Sequence, residues 1–183
     1  MTVKLSEVAR YMRMGKILPE GALLERTEKL IKKANEAARP ARVWRRFTME
    51  ELRRHFDISG TIARHLEACH AAYLVCGTLG AAFDIFQRRE AALSGANALV
   101  IQAVGAAMIE EWMDMTNGEI RRELCEGESL LARYSPGYGD FPLAAQRQLL
   151  SLLDAPRTVG VSLTDTLLMV PSKSVSAIIG VKK

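Results

Sequence analysis

One stretch of the chain gathers most of its reactive chemistry, Arg133-Tyr134-Ser135-Pro136-Gly137-Tyr138-Gly139-Asp140-Phe141-Pro142. It combines a permanent cation, tyrosine rings, paired glycines, paired prolines and a carboxylate. Such a segment is too rich in turn formers for a helix. Pro136 fixes φ near −65° and Gly137 accepts φ > 0, so a tight turn is expected there. The turn would hold Arg133 near Tyr138 and expose backbone N–H groups beside them. An arginine fork on a rigid loop suits a small ligand bearing a carboxylate. Composition alone favours the plainer reading, a surface turn with a solvated arginine and a packed tyrosine.

Glu110 and Glu111 are the second candidates, because they lie in an otherwise apolar stretch. A carboxylate there needs a partner if it is buried. Glu110 is expected to point inward, toward a cation such as Arg133 or a ligand's ammonium or sulfonium group; the alternative is a solvent-facing position. Other chemistries are missing from the pattern. There is no G-x-x-x-x-G-K-[ST] phosphate loop, no G-x-G-x-x-G after a strand, no G-x-S-x-G and no H-E-x-x-H. The histidines (His55, His65, His70) and cysteines (Cys69, Cys76, Cys125) have no zinc-ligand spacing, so no metal site is expected.

These residues must be positioned by an ordinary globular core. The chain has 183 residues, 49% hydrophobic and 25% charged, which suits one domain with a sizeable core. The unpatterned cysteines read as reduced thiols, and no leader peptide or spanning segment is visible, so a cytoplasmic protein is expected. Charge is uneven: residues 1–60 carry about +6, 61–129 about −5 and the rest about +3. Clustered Lys29, Lys32, Lys33, Arg39, Arg42, Arg45, Arg46, Arg53 and Arg54 could attract phosphates. Interleaved Glu25, Glu28 and Glu36 favour a solvated helix face instead, so nucleic-acid binding is the lesser reading. An acidic protein partner would also fit.

Helices are expected over residues 20–38, from Met49 behind the capping box Thr48-Met49-Glu50-Glu51, over 61–70, over 78–93 and over 143–153. A long buried helix should span 96–116 and stop near Gly118, with an acidic surface helix beyond it to about Cys125. Short strands are expected over 41–47, 71–76, 157–163, 167–170 and 174–179. Pro171-Ser172-Lys173 would link the last two as a hairpin. Helices dominate first and strands last, which predicts an α+β fold with a mostly antiparallel sheet.

In combination these residues carry a family signature. Arg133-x-x-x-Gly137-Tyr138, then Pro142, a leucine-rich helix, the run Thr158 to Pro171, and Lys173-Ser174-Val175-Ser176-Ala177-Ile178-Ile179-Gly180 follow one another in an order that resembles the activation domain of vitamin B12-dependent methionine synthase. The match is strongest over the C-terminal 50 residues and weaker through Ala71–Phe83 and the Glu110 helix. The Gly-Tyr-Gly-Asp-Phe-Pro reading of the loop is similar to short, stand-alone versions of that domain.

The resemblance implies a C-shaped single α+β domain over 1–183, with a twisted, mostly antiparallel sheet and a long central helix. Within it, 1–60 would form a basic helical region and 130–183 the motif-bearing part. It implies S-adenosylmethionine binding by Glu110, Arg133, Ser135, Pro136, Gly137 and Tyr138, with Tyr138 facing a corrin ring. It further implies an accessory role without a catalytic nucleophile or base in this chain: support for reductive remethylation of cob(II)alamin on a separate cobalamin-binding methionine synthase or other corrinoid protein. A flavodoxin- or ferredoxin-type protein would supply the electron. The chain departs from the large enzyme at Gly139-Asp140-Phe141, and it reaches Lys183 without counterparts to the paired tyrosines that contact ligand there.

Overall fold

The computed structural model describes residues 1–183. The chain opens with helix α1 (Leu5–Tyr11) and the amphipathic helix α2 (Gly21–Ala37). Thr27, Leu30 and Ala34 lie on one buried face of α2, and Ala38 turns extended before Pro40. Strand β1 (Ala41–Thr48) runs into helix α3 (Met49–His55). The expected capping box is formed: Glu51 N–H donates to Thr48 Oγ1 at 3.2 Å, and Thr48 N–H donates to Glu51 Oε2 at 2.8 Å.

Helix α4 (Gly60–Leu66) is shorter than expected, because Cys69 already pairs with Lys182 at the start of strand β2 (Cys69–Thr78). Helix α5 (Ala81–Leu93) begins three residues late for a similar reason. Leu79 N–H still donates to Lys173 O at 2.9 Å, which extends the sheet edge past Thr78.

Helix α6 (Gly95–Arg122) is the central element, capped by the Ser94 side chain. It does not stop at Gly118, and the separate acidic helix expected beyond it is its own last turn. A glycine inside a helix costs about 1 kcal/mol. Burial of Thr116 and Ile120 on either side of Gly118 offsets that cost. No helix is long and apolar enough to cross a membrane.

Strand β3 (Ser129–Tyr134) was not expected. Its sequence, Ser-Leu-Leu-Ala-Arg-Tyr, lacks a clean alternation, and long-range pairing with a later strand decides its conformation. The chain then forms helix α7 (Ala145–Leu152), the short helix α8 (Ala155–Thr158), the short strands β4 (Ser162–Leu163) and β5 (Met169–Val170), and the long strand β6 (Ser174–Lys182). Two expectations fail here. Arg157 lies in α8 rather than a strand, since Asp154 O and Ala155 O accept the N–H groups of Thr158 and Val159. Pro171-Ser172-Lys173 does not close a hairpin. β5 pairs back onto β4, and Asp84 at the start of α5 holds Ser172 through its N–H at 2.7 Å and hydroxyl at 2.9 Å. The chain is thereby redirected into β6.

The main sheet has the order β1-β2-β6-β3, antiparallel throughout. β2 and β6 are central and sandwiched, which explains why Ala71–Cys76 reads as a continuous apolar run. Side chains alternate between its two faces. Leu74, Cys76 and Ile178 join Leu52, Ile62, Phe141 and Leu149 on one side. Tyr73, Val75, Ala177 and Ile179 meet Met113 and Ile120 of α6 on the other. A third cluster, with Leu30, Phe83, Ile101, Val104 and Met108, ties α1, α2 and α5 to the first half of α6. The molecule is one α+β domain whose long helix lies across the sheet. That packing sets the second half of α6 beside β3.

Candidate functional site

Positions 110, 114 and 117 fall along one face of α6 at helical spacing. Arg133, near the end of β3, reaches that face. Its Nη2 donates to Glu110 Oε2 at 2.6 Å and its Nη1 to Asp114 Oδ1 at 2.8 Å. With the Asn117 amide turned to face its partners, that side chain also accepts from Arg133 at 3.0 Å. The arginine side chain is only 16% exposed, whereas Glu110 is 41% and Asp114 68% exposed. Glu110 therefore finds the cation expected of it, but at the edge of the helix rather than in the core.

These groups line a cleft of about 400 Å³ with Ala132, Ser135, Tyr138 and Val175. That volume is in the range that takes a small organic ligand. Glu110 and Asp114 also form a ridge shared with a second, smaller cleft lined by Val3, Lys4, Glu7 and Glu111. The cleft is polar and net negative, with one cation held between two carboxylates.

The turn beside it has the expected form. Tyr138 N–H donates to Ser135 O at 3.2 Å across Pro136-Gly137, and Gly137 has φ 93°. Pro136 is buried beneath the turn and Tyr138 stands 66% exposed at the rim. Of the six residues expected at the site, Glu110, Arg133, Ser135 and Tyr138 line the cleft, while Pro136 and Gly137 shape the turn. Arg133 itself belongs to a strand rather than to the loop. The expectation of free N–H groups fails for Gly137 and Tyr138. Gly137 N–H is bonded to Phe141 O at 2.9 Å and Tyr138 N–H to Ser135 O. A tight Pro-Gly turn followed by a second reversal uses these donors internally.

Asp114 and Asn117 were missed by sequence reasoning. The available signal was their spacing of four and seven residues from Glu110, which places them on the same helix face.

Other polar groups are occupied by one another. Two grooves of about 450 and 460 Å³ flank α2 and α5. At their base the buried Glu90 accepts from Lys33 Nζ at 2.9 Å and Asn97 Nδ2 at 3.0 Å. Arg42 donates to Glu119 at 2.5 Å, Arg46 to Glu128 and Arg54 to Glu50. Lys33, Arg42, Arg46 and Arg54 of the basic N-terminal region are thus paired within the chain, whereas Lys29, Lys32, Arg39, Arg45 and Arg53 form no ion pair. Cys76 is buried, and burial pushes its thiol up to about 12; Cys125 is exposed. No three His, Cys, Asp or Glu side chains converge where they could share a metal ion.

Comparison with known proteins bears out the family resemblance and the fold. The family model described as vitamin B12 dependent methionine synthase, activation domain, matches residues 81–183, more than half of the chain. Among solved structures, the crystal structure of the MetH reactivation domain bound to AdoHcy aligns with a TM-score of 0.66. It covers 97% of this chain and 73% of that chain at 15% identity, a likeness of fold. No curated protein sequence matches the chain.

Proposed function

The chain belongs to the family of activation domains of vitamin B12 dependent methionine synthase, and on that premise we propose that it binds S-adenosylmethionine in the Arg133 cleft and supports reductive remethylation of cobalamin carried by a separate partner protein. The observation that carries this reading is the shared ion pair of Arg133 with Glu110 and Asp114, open to solvent beside Tyr138.

The cleft fits the ligand's charges. An α-amino acid head carries a carboxylate and an ammonium one carbon apart. Inserted there, its carboxylate would take the Arg133 guanidinium and its ammonium one of the two acidic side chains. The two carboxylates against one guanidinium leave an excess negative charge, which favours a ligand that also carries a sulfonium. Ser135 adds a hydroxyl to the same wall. Tyr138 offers an exposed ring at the mouth, a flat surface for a corrin on the partner. Cobalamin on that partner would supply the cobalt nucleophile that accepts the sulfonium methyl group. This chain's contribution is orientation: it holds the donor at a fixed place and angle, so that the transfer is not limited by chance encounter. The electron would come from a flavodoxin- or ferredoxin-type protein, and the assembly would work in the cytoplasm. Residues 1–183 act in this reading as one unit.

Titration calorimetry with S-adenosylmethionine, alone and with a cobalamin-loaded partner, tests the proposal. Binding to the wild type that is lost in Arg133→Ala supports it. No binding in either setting defeats it. A salt-dependent DNA shift without any response to S-adenosylmethionine would assign the basic region the leading role instead.

A further inference from the structure

We infer that Asp140, acting through Thr61 and Tyr134, is a positioning residue that fixes Tyr138 at the mouth of the Arg133 cleft; the inference rests on reading that cleft as the ligand site. The residues from Gly137 to Asp140 are exposed, and the flanking anchors are Tyr134, paired with Ile178 in the sheet, and Phe141, buried in the core. Between those anchors the tip is tied to α4 by a compact hydrogen-bond hub. Thr61 N–H donates to Asp140 Oδ1 at 2.9 Å, and the Thr61 hydroxyl donates to the same carboxylate oxygen. That hydroxyl in turn accepts from Tyr134 Oη at 2.6 Å and from Asp140 N–H at 3.3 Å. Tyr134 Oη also lies 3.3 Å from the carbonyl oxygen of Tyr138, which connects the hub to the residue at the rim.

The approach of the two segments leaves no room for side chains. A Cβ on Gly139 would fall 2.5 Å from Thr61 Oγ1 and 2.8 Å from Tyr134 Oη, and one on Gly60 would overlap the Asp140 carboxylate. Both glycines also have positive φ, 56° and 59°, where other residues are strained. The Thr61 hydroxyl, followed by the Thr61 N–H, holds the Asp140 carboxyl below the usual carboxylate range. The latch is therefore charged near neutral pH and weakens only as acid protonates Asp140.

The test uses ¹⁵N relaxation on the full chain together with calorimetry. Thr61→Val keeps the shape and removes the hydroxyl hub, and Thr61→Ser keeps the hydroxyl. In the wild type and in Thr61→Ser, the amides of Gly137, Tyr138 and Gly139 should be rigid, with order parameters of about 0.85; in Thr61→Val they should fall below about 0.6. Affinity for S-adenosylmethionine should drop about tenfold in Thr61→Val and stay within about twofold in Thr61→Ser. A rigid loop in Thr61→Val overturns the inference. So does a Thr61→Ser variant as loose as Thr61→Val, which would assign the effect to methyl packing, and so does a loose loop with unchanged affinity. If the wild type binds no S-adenosylmethionine, the functional reading fails, and the relaxation arm still decides whether the latch holds the loop.

Discussion

Arg133 and Glu128 each sit at the centre of an ion-pair cluster, and the two clusters are built in opposite senses. In the first, a nearly buried cation is shared by Glu110 and Asp114, both of which keep oxygen surface open to solvent. In the second, a carboxylate with only 5% of its side chain exposed is surrounded by donors. Arg46 reaches it at 3.0 and 2.5 Å, His70 Nε2 lies at 2.7 Å and Cys125 N–H donates at 2.9 Å. The Glu128 cluster is saturated and ties edge strand β1 to the connection between α6 and β3. The Arg133 cluster has unused acceptor capacity facing a cleft. A buried polar group whose partners all belong to the chain serves structure; one whose partners retain free valences facing a cavity can exchange them for a ligand.

The sharpest way to break this comparison is to remove each centre and read both affinity and stability. Arg133→Ala should weaken S-adenosylmethionine binding up to about a hundredfold in calorimetry, the worth of charge-assisted hydrogen bonds to a carboxylate. Glu128→Gln should lower the thermal midpoint yet leave that affinity within about twofold, because it shares no partner with the cleft. The opposite assignment of effects would erase the distinction drawn between the clusters. Arg133→Lys keeps the charge but loses the planar fork, and about a tenfold loss of affinity is expected. Asp114→Asn removes one negative charge from the cleft; binding of S-adenosylmethionine should fall about threefold more than binding of the uncharged thioether S-adenosylhomocysteine. Equal losses for the two ligands would show that Asp114 does not sense the sulfonium.

Acid sharpens the comparison further. Arg46, with help from the Cys125 N–H and His70, pulls the Glu128 carboxyl down to about 2, against 4.5 for the free group. A depressed folded-state value means that its stabilisation is complete above about 4.5 and is lost as the pH falls toward 2. The difference in denaturant stability between wild type and Glu128→Gln should therefore be constant above pH 5 or so and shrink toward zero near pH 2. A difference that persists at that acidity would mean that the pair contributes through shape rather than charge.

Local signals made much of this architecture legible. The apolar spacing of Thr27, Leu30 and Ala34, the Thr48/Glu51 box and the run from Ala71 to Cys76 each identify an element by its own chemistry. The failures are non-local. β3 exists because Leu130 and Arg133 find Val181 and Ile179, and nothing within Ser129–Tyr134 announces those partners. Gly118 looks like a stop until tertiary burial on both sides of it is known. The path after Val170 is decided by Asp84, 88 residues away from Ser172. In the cleft, Arg133, Glu110 and Tyr138 were readable because an arginine and a tyrosine in a glycine-rich turn, and a glutamate in an apolar helix, stand out by type. Asp114 and Asn117 looked like ordinary surface residues until β3 was placed beside α6, and the Asp140–Thr61 contact spans 79 positions that no short-range pattern connects.

The position of β6 between β2 and β3 bears on how the molecule is made as well as on how it is held. Its ladders join residues such as Tyr73 and Ile179, or Thr78 and Ser174, that are separated by about a hundred positions. Contacts of that span form slowly, whereas α6 can form from its own sequence within microseconds. Glu110 and Asp114 can therefore be on a formed helix well before Arg133 is delivered opposite them. β3 has no neighbour in the sheet except β6, so the cleft has one wall until that strand is inserted. A collapsed intermediate with full helix content would lack the cleft, and ligand binding would report on completion of the sheet rather than on helix formation. In refolding experiments, recovery of S-adenosylmethionine binding should lag the far-ultraviolet helix signal and coincide with the slow phase of sheet assembly.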